Sequence, residues 1–207
     1  MLKTLSFTIV FSIFFLQCCE ENIIIRPATL EDLDDINNIT YQLYHQHFKP
    51  IFSDLISPEH NLDNFMSKKI TAQQNANKEF ITKQLNQEKY GLIIAEELTP
   101  YAKQIIGYCR FNQKKPNNVH IYFLGINKLF RRNKIGSKLL FTVIKTFDDA
   151  THCTLRVLAH NDTAHAFYQK HGFEQKELIS LDLITGIQST DPNAPITHAE
   201  YYLEIKK

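Results

Sequence analysis

The sequence has little glycine, little cysteine, no tryptophan and almost no net charge. Its 207 residues include 6 glycines and 4 cysteines, and 23 basic side chains are balanced by 22 acidic ones, which leaves a net charge of +1. So few glycines exclude a collagen-like chain, and so few cysteines exclude a disulfide scaffold. The charge balance argues against nucleic-acid binding, because domains that bind nucleic acid usually carry a clear basic excess.

Apolar and aromatic residues, in contrast, are plentiful, at 43% and 12% of the chain. This content is enough for one sizeable core and excludes a largely disordered protein. The length predicts a single domain. Cys109 and Cys153 fall in apolar, strand-like runs, which favours two buried free thiols over a disulfide, and their spacing from the histidines predicts no metal site.

The first 21 residues differ from the rest of the chain. A single charge, Lys3, precedes an apolar run over Leu5–Leu16, and Cys18 and Cys19 follow it. The run is too short to span a bilayer core of about 30 Å, but it suits the core of a signal peptide. The small-residue cleavage site that usually follows such a core is missing.

Two domain-level expectations follow from this segment. Residues 1–21 are expected to form a signal-like segment or a short anchor that contacts a membrane through residues 4–19. The alternatives are a mis-assigned start codon and a short hydrophobic extension on a cytosolic enzyme. Residues 22–207 are expected to form the folded domain.

Hydrophobic periodicity predicts alternating strands and helices along that domain. Apolar runs favour buried strands, and apolar residues three or four apart favour amphipathic helices. Predicted strands begin near Ile23, Gly91, Gln104, Val119, Thr154, Phe173 and His198, and predicted helices lie after Thr29, within residues 41–88, from Ile135 and at Asp162–Lys170. The order β-α-α-β-β-β-α-β-α-β-β indicates an α/β or α+β sandwich with helices on a mixed sheet.

One strand, ending near Ile126, leads through a basic loop directly into a helix. Arg131, Arg132 and Lys134 lie in this loop, and apolar residues from Ile135 onward repeat at helical spacing. The first amides of a helix have no partner within it, and the helix dipole adds positive potential. The residues alone favour a pyrophosphate at this helix start, with a merely solvated basic turn as the alternative.

The loop from Arg131 to Gly136 resembles the acetyl-CoA-binding motif of the GCN5-related N-acetyltransferases, Gln/Arg-x-x-Gly-x-Gly/Ala. Lys134 stands where the motif has its central glycine. A non-glycine residue in the left-handed conformation costs on the order of 1–2 kcal/mol, so the substitution puts the affinity for acetyl-CoA in question, although the lysine charge would offset part of that cost.

A second block supports the same resemblance. Residues 161–173 are similar to the family's Asn-x-x-Ala-x-x-Phe/Leu-Tyr-x-x-x-Gly-Phe pattern, and Ile25-Arg26-Pro27 and Ile106-Gly107-Tyr108 match its first and third strands. The resemblance covers about residues 22–207. It implies the α/β (α+β) fold of the GCN5-related N-acetyltransferases (the GNAT fold). This fold has a mixed, mostly antiparallel sheet of six to seven strands flanked by about four helices.

The resemblance also implies acetyl-CoA as acetyl donor, no metal, and a set of donor-binding residues. A bulged strand, with Gly125 suited to the bulge, would offer main-chain groups to the pantetheine and the thioester. The expected donor-binding residues are Leu124, Gly125, Ile126, Arg131, Arg132, Asn133, Lys134, Ile135, Gly136, Ser137 and Asn161. Asn161 is also expected to cap the helix that follows it.

Two residues are candidates for proton transfer. Tyr168 matches the tyrosine that protonates the coenzyme A sulfur in many relatives, and its alternative is a buried tyrosine with a satisfied hydroxyl. His120 is expected on the same strand face as Tyr122 and Leu124, where some relatives carry a general base. The alternative to a general base is that His120 is only a packing residue.

The resemblance implies an acceptor wall after the first helix, where Tyr44 and His45 are candidate acceptor-binding residues; Tyr122, on the strand that begins near Val119, is a third candidate. His45 and His47 lack a third ligand, so no metal is expected there. The acceptor is either a small-molecule amine or a protein amino group, and nucleic acid is not expected as a partner.

The expected function is transfer of an acetyl group from acetyl-CoA to a primary amine, directly within a ternary complex. The alternative is a catalytically degenerate domain that binds acetyl-CoA as a sensor or scaffold, a reading that Lys134 favours. The domain is expected in the cytoplasm, as a monomer or homodimer. Export or membrane tethering through residues 1–19 stays open.

Overall fold

A computed structural model describes residues 22–56, 61–87, 89–180 and 197–205. The expectations for residues 1–21 lie outside the described residues. Among the described helices, none combines the length and the apolar composition needed to cross a membrane.

Seven strands and five α-helices follow one another in the predicted order, with one more short helix than expected. They are β1 (Ile23–Pro27), α1 (Leu33–Leu43), α2 (Lys49–Leu55), α3 (Leu62–Gln84), β2 (Tyr90–Leu98), β3 (Lys103–Lys115), β4 (Asn118–Ile126), α4 (Ile135–Thr146), β5 (His152–Leu158), α5 (Asp162–Lys170), β6 (Glu174–Ser180) and β7 (Thr197–Glu204). Short 3₁₀ turns occupy Leu30–Asp32 and Lys128–Phe130.

A π-helical segment, Tyr44–Phe48, joins α1 to α2. Pro50, in the first turn of α2, has no amide hydrogen to donate, so the regular α-helical ladder is interrupted at this point. The wide π turn carries the aromatic and histidine residues that the sequence places after the first helix.

The strands form one mixed sheet in the order β1-β2-β3-β4-β5-β7-β6. Every neighbouring pair is antiparallel except β4 and β5, which are parallel. The helix α4 makes the crossover between those two strands, as a parallel pair requires. The expected mixed, mostly antiparallel sheet is confirmed, with seven strands and with five α-helices among the described residues, where about four were expected.

Apolar layers cover both faces of the sheet. On one face α4 buries the residues predicted from its spacing, namely Ile135, Leu139, Leu140 and Val143. On the other face α1 and α3 bury Ile36, Ile39, Leu43, Phe80 and Ile81. Fully burying such a side chain stabilises the fold by roughly 1.5–3 kcal/mol, so these two layers hold α1 and α4 rigidly on either side of β4.

The two core cysteines are free thiols, as predicted. Cys109 and Cys153 are both buried and unpaired. Burial raises the pKa of Cys153 to about 12 and raises the pKa of Cys109 as well. Since the thiolate is the nucleophilic form, neither cysteine is suited to covalent catalysis at neutral pH.

Candidate active site

The strands β4 and β5 pair over only part of their length. Asn118 to Ile121 pair with His152 to Leu155, and within the described residues the pairing does not continue further. The strands part there, and a cavity of about 240 Å³ opens between them. On these facing edges the main chain has no neighbouring strand, so its polar groups are available to a ligand.

Both sheet faces contribute to this cavity, which we call the cleft. Its lining residues are Tyr44, Phe48, Phe52, Phe65, Lys69, Gln73, Ile121, Tyr122, Phe123, Leu124, Leu155, Arg156, Val157, Leu158, Asn161, Ala164, Tyr168 and His198. Five of the sequence-predicted site residues are therefore brought together there: Tyr44, Tyr122, Leu124, Asn161 and Tyr168. A wider depression of about 720 Å³, beside β1 and the end of α4, contains none of them.

The strand bulge lies at Tyr122, three residues before its predicted position at Gly125. Phe123 and Ile121 pair with consecutive residues of β3, so Tyr122 is the extra residue on β4. The bulge therefore occurs where β4 loses its pairing with β5, and it adds a local bend and twist to the strand there.

This bulge also corrects the predicted strand face. An extra residue shifts the alternation of side chains by one position. His120 and Tyr122 contact each other, with ring centroids 4.6 Å apart, whereas Leu124 packs into the core on the α4 face. The prediction that all three share one face is wrong.

Gly125 has a packing role instead. A β-carbon at this position would lie 2.4 Å from Leu43 Cδ1 and 2.6 Å from the Phe123 ring. Glycine thus lets Leu43 of α1 and the Phe123 ring pack directly on the main chain of β4, because a β-carbon there would displace both side chains.

Tyr168, in α5, lines the cleft and also packs in the core of the α4 face. The residue is only 7% exposed, and within the described residues the hydroxyl makes no hydrogen bond. Tyr168 is thus a core residue at the cleft whose hydroxyl is not satisfied by any described residue, and its role in proton transfer stays a prediction. Burial raises the pKa of Tyr168 well above its ordinary value, so the side chain is a protonated donor at neutral pH.

The basic loop and the start of α4 have the geometry of an anion site. Lys138 N donates to Lys134 O in the first helical hydrogen bond, so the amides of Ile135, Gly136 and Ser137 have no acceptor within the helix. Lys134 provides no side-chain cap for them. These amides and the helix dipole favour a phosphate at this end of the helix.

The loop reaches this geometry with two left-handed residues. Arg132 has φ 72° and Lys134 has φ 58°. Lys134 thus adopts the conformation that a glycine would take without strain. Its exposed side chain keeps a positive charge beside the free amides of α4.

We expect Lys134→Gly to raise the free energy of unfolding by about 0.5–1 kcal/mol, because relief of the left-handed strain exceeds the entropy lost by glycine. Urea denaturation measures this change. As a matched control, Lys138→Gly in the regular part of α4 should lower stability by about 1 kcal/mol. Equal destabilisation by both variants would show that Lys134 is not strained.

Gly136 and Ser137 also connect α4 to α5. A β-carbon on Gly136 would lie 3.3 Å from the Phe167 ring. His171 Nδ1 donates to Phe167 O at 2.7 Å, so its Nε2 accepts from the Ser137 hydroxyl at 2.9 Å. The Ser137 hydroxyl is therefore engaged in the fold, and its main-chain amide remains the group available to a donor.

Asn161 joins the start of α5 to the π segment. Its Oδ1 accepts from Ala164 N at 3.2 Å, which confirms the predicted cap of α5, and from His47 Nε2 at 3.2 Å. Burial, and then the charge of Arg131, lowers the pKa of His47. Arg131 Nε in turn donates to Ile126 O at 3.2 Å, which fixes the base of the loop.

His120 does not line the cleft. It is 6% exposed, and its Nδ1 lies 2.9 Å from Thr154 Oγ1. The Thr154 hydroxyl donates to Asn118 Oδ1, so His120 Nδ1 acts as the donor to Thr154. The ring of His120 contacts the ring of Tyr122, and Tyr122 lines the cleft.

The predicted acceptor residues divide into two groups. Tyr44 and Tyr122 line the cleft, whereas His45 stacks on Tyr41 outside it, with ring centroids 4.3 Å apart. Within the ranges that the structure describes, no group of three His, Cys, Asp or Glu side chains is placed to hold a metal ion.

Sequence reasoning missed the polar side chains of the cleft, among them Lys69, Gln73, Arg156 and His198. They come from three elements that are far apart in the chain, and none belongs to a motif. The only sequence signal is Arg156, a charged residue within an otherwise apolar strand.

A family model described as the acetyltransferase (GNAT) family matches residues 52–173. This match includes β2 to β5, the basic loop, α4 and α5. Among curated proteins, none matches the chain by sequence.

Solved structures share the fold at low sequence identity. The PaiA N-acetyltransferase of Thermoplasma acidophilum, in complex with coenzyme A, is 18% identical with a TM-score of 0.64, over 88% of this chain and 99% of that chain. An N-acetyltransferase of Staphylococcus aureus is 19% identical with a TM-score of 0.60, over 90% and 100%. NAA60 of Arabidopsis thaliana, in complex with a bisubstrate analogue, is 15% identical with a TM-score of 0.57, over 89% and 99%.

Proposed function

The chain belongs to the GNAT family of acetyltransferases, and from that premise we propose that it transfers an acetyl group from acetyl-CoA to a primary amine. The transfer is direct, within a ternary complex of protein, donor and acceptor. The observation that carries the proposal is the Tyr168 hydroxyl, buried, protonated and without a hydrogen-bond partner among the described residues, in the cleft where β4 and β5 part.

The residues present fit acetyl-CoA as donor substrate. The free amides of Ile135, Gly136 and Ser137, with Arg131 and neighbouring Arg132, Asn133 and Lys134, would hold the pyrophosphate. The main chain of Leu124, Gly125 and Ile126 would bind the pantetheine and the thioester carbonyl, and Asn161 would contact the donor beside them. Acetyl-CoA supplies an acetyl group activated as a thioester.

The chain's own groups then assist each part of the transfer. A new C–N bond forms while the C–S bond breaks; the amine loses one proton and the departing sulfur gains one. Tyr168 donates the proton to sulfur, and main-chain amides of β4 stabilise charge on the carbonyl oxygen. The aromatic walls of the cleft exclude water, which protects the thioester from hydrolysis.

Removal of the amine proton is assigned to His120 acting through a relay. His120 lies behind the cleft and contacts the ring of Tyr122, so the amine proton would reach the imidazole through ordered water that enters beside that ring. Tyr44 and Tyr122 would contact the acceptor, and we propose that His45 supports the wall from outside. The acceptor is a small-molecule amine or a protein amino group.

We propose a cytoplasmic location for the domain, because acetyl-CoA is a cytosolic metabolite. A second candidate function is a sensor or scaffold that binds acetyl-CoA without turnover. The left-handed Lys134 in place of a glycine favours this candidate, since it would weaken the donor site. The hydroxyl of Tyr168 argues for catalysis.

Thermal unfolding of the full chain, with and without acetyl-CoA, tests the donor site. At a concentration a hundredfold above Kd, binding to the native state alone should stabilise the protein by about 2.7 kcal/mol. Acetyl phosphate, which lacks the nucleotide and the pantetheine, is the control and should give no shift. An unchanged melting temperature at millimolar acetyl-CoA would contradict both candidate functions.

A further inference from the structure

The charged side chains that line the cleft are basic. Lys69 from α3 and Arg156 from β5 line it, and His198 from β7 lies beside them. None of the lining residues that the structure describes is an aspartate or glutamate. A site built to hold an acceptor as a cation would need carboxylates, so the charge of the cleft bears directly on the chemistry of the acceptor.

Lys69 is a cation without a counter-ion among the described residues. Its side chain is half-buried, and its ammonium lies 5.4 Å from the centroid of the Phe65 ring. Burial lowers the pKa of Lys69. A partly desolvated ammonium gains strongly from an anion placed next to it, because the low dielectric of the cleft amplifies the attraction.

Arg156 and His198 extend this basic surface. Arg156 makes one contact with a carboxylate, from its Nε to Glu200 Oε1 at 3.4 Å, so the ion pair is loose and single. Burial, and then the charges of Lys69 and Arg156, lowers the pKa of His198 to about 4. The imidazole is therefore neutral at pH 7 and adds a hydrogen-bond donor beside the two cations.

A buried arginine lies behind the cleft wall. Arg110 is 4% exposed and bonds only neutral groups in the described structure: Gln73 Oε1 at 2.6 Å, Asn77 Oδ1 at 2.9 Å and the Gln73 carbonyl at 3.3 Å. Its Nε has no hydrogen-bond partner there. Gln73 lines the cleft and connects this cation to it, so Arg110 adds positive potential from behind.

We propose that the acceptor amine carries an anionic group, a carboxylate or phosphate, that Lys69 and Arg156 bind in the cleft. This inference rests on the proposed function. The apolar part of the acceptor packs on the aromatic residues of the wall, Phe48, Phe52 and Phe65. The cleft, about 240 Å³, must also hold the thioester of the donor, so only a small acceptor or a small part of one fits inside it.

The same cations assist the chemistry. Positive charge near a bound ammonium disfavours its protonated form and lowers its pKa. Lys69 and Arg156 would therefore hold the anion of the acceptor and also favour the neutral amine that attacks the thioester. A diamine or polyamine would be repelled.

Acceptor specificity tests the inference on the full chain. Release of the coenzyme A thiol is followed with apolar and aromatic amino acids, their carboxamides, their aminophosphonate analogues and putrescine. Each anionic amine is compared with the carboxamide of the same side chain. Where the two react, kcat/KM for the anionic amine should be on the order of tenfold higher. Reactive aminophosphonates would identify a phosphate-like acceptor, and reactive amino acids a carboxylate.

Measuring the stabilisation by acetyl-CoA in parallel separates failure of the acceptor inference from failure of the proposed function. Stabilisation by acetyl-CoA with preferred turnover of carboxamides or putrescine, or with no turnover of any anionic amine, overturns the inference about the acceptor and leaves the donor site intact. Absence of stabilisation contradicts the proposed function itself.

Lys69→Gln supplies the residue-level test. It should raise KM for the anionic acceptor on the order of tenfold while leaving KM for acetyl-CoA unchanged, since it removes one charged partner of the anion. Lys68→Gln, on the exposed side of the same helix, is the matched control and should change neither. An equal loss of activity toward an amino acid and its carboxamide would contradict the assignment of Lys69.

Discussion

Tyr168→Phe is expected to lower turnover on the order of a hundredfold while leaving the affinity for acetyl-CoA nearly unchanged. The substitution removes only a hydroxyl that lines the cleft and makes no hydrogen bond within the described structure. Because burial raises the phenolic pKa, the wild-type residue holds its proton through neutral pH, and in the proposed mechanism it gives this proton to the departing sulfur.

Steady-state kinetics and acetyl-CoA titration of the variant separate these two effects. Tyr201→Phe is the matched control: Tyr201 is buried nearby, with its ring 6.3 Å from that of Tyr168, but its hydroxyl bonds His165. The control should lose some stability and keep its turnover number. Turnover of Tyr168→Phe within twofold of wild type would remove this tyrosine from the mechanism.

The paired substitution Arg132→Glu with Lys134→Glu is expected to weaken acetyl-CoA binding on the order of a hundredfold at low salt. Both side chains are exposed, and both residues already adopt positive φ, so the change reverses charge at the start of α4 without disturbing the core. Added carboxylates would also compete with the pyrophosphate for the free amides of the helix.

Acetyl-CoA titration at two salt concentrations measures this effect, which should shrink as salt screens the exposed charges. Lys68→Glu with Lys145→Glu gives the same change in net charge on exposed positions away from the loop, and should bind almost as wild type. Equal affinity of the two double variants would show that the loop does not hold the pyrophosphate.

The order of strands and helices and the proposed donor end of the site were predictable from local pattern. The apolar spacing in α4 sets its buried face, and the loop before it carries the cations next to free helical amides. The cap at Asn161 follows from the same kind of signal, a polar residue directly before a helix. Such features depend on residues that are neighbours in the chain.

The acceptor end was not predictable in the same way. The bulge at Tyr122 is set by the pairing of β4 with β3, and it moves Leu124 away from the face of His120. Nothing in the residue order of β4 marks it. Lys69 and Arg156 come together only because α3 and β5 border the same cleft, so their joint charge is a property of the fold.

The central claim, acetyl transfer from acetyl-CoA to an amine, is tested most directly by release of the coenzyme A thiol from the full chain with both substrates present. Thiol release should require an amine acceptor, saturate in both substrates, and yield an equal amount of acceptor that has gained one acetyl group by mass spectrometry. Binding of acetyl-CoA with no release above the hydrolysis rate for any amine would contradict the account and identify a sensor.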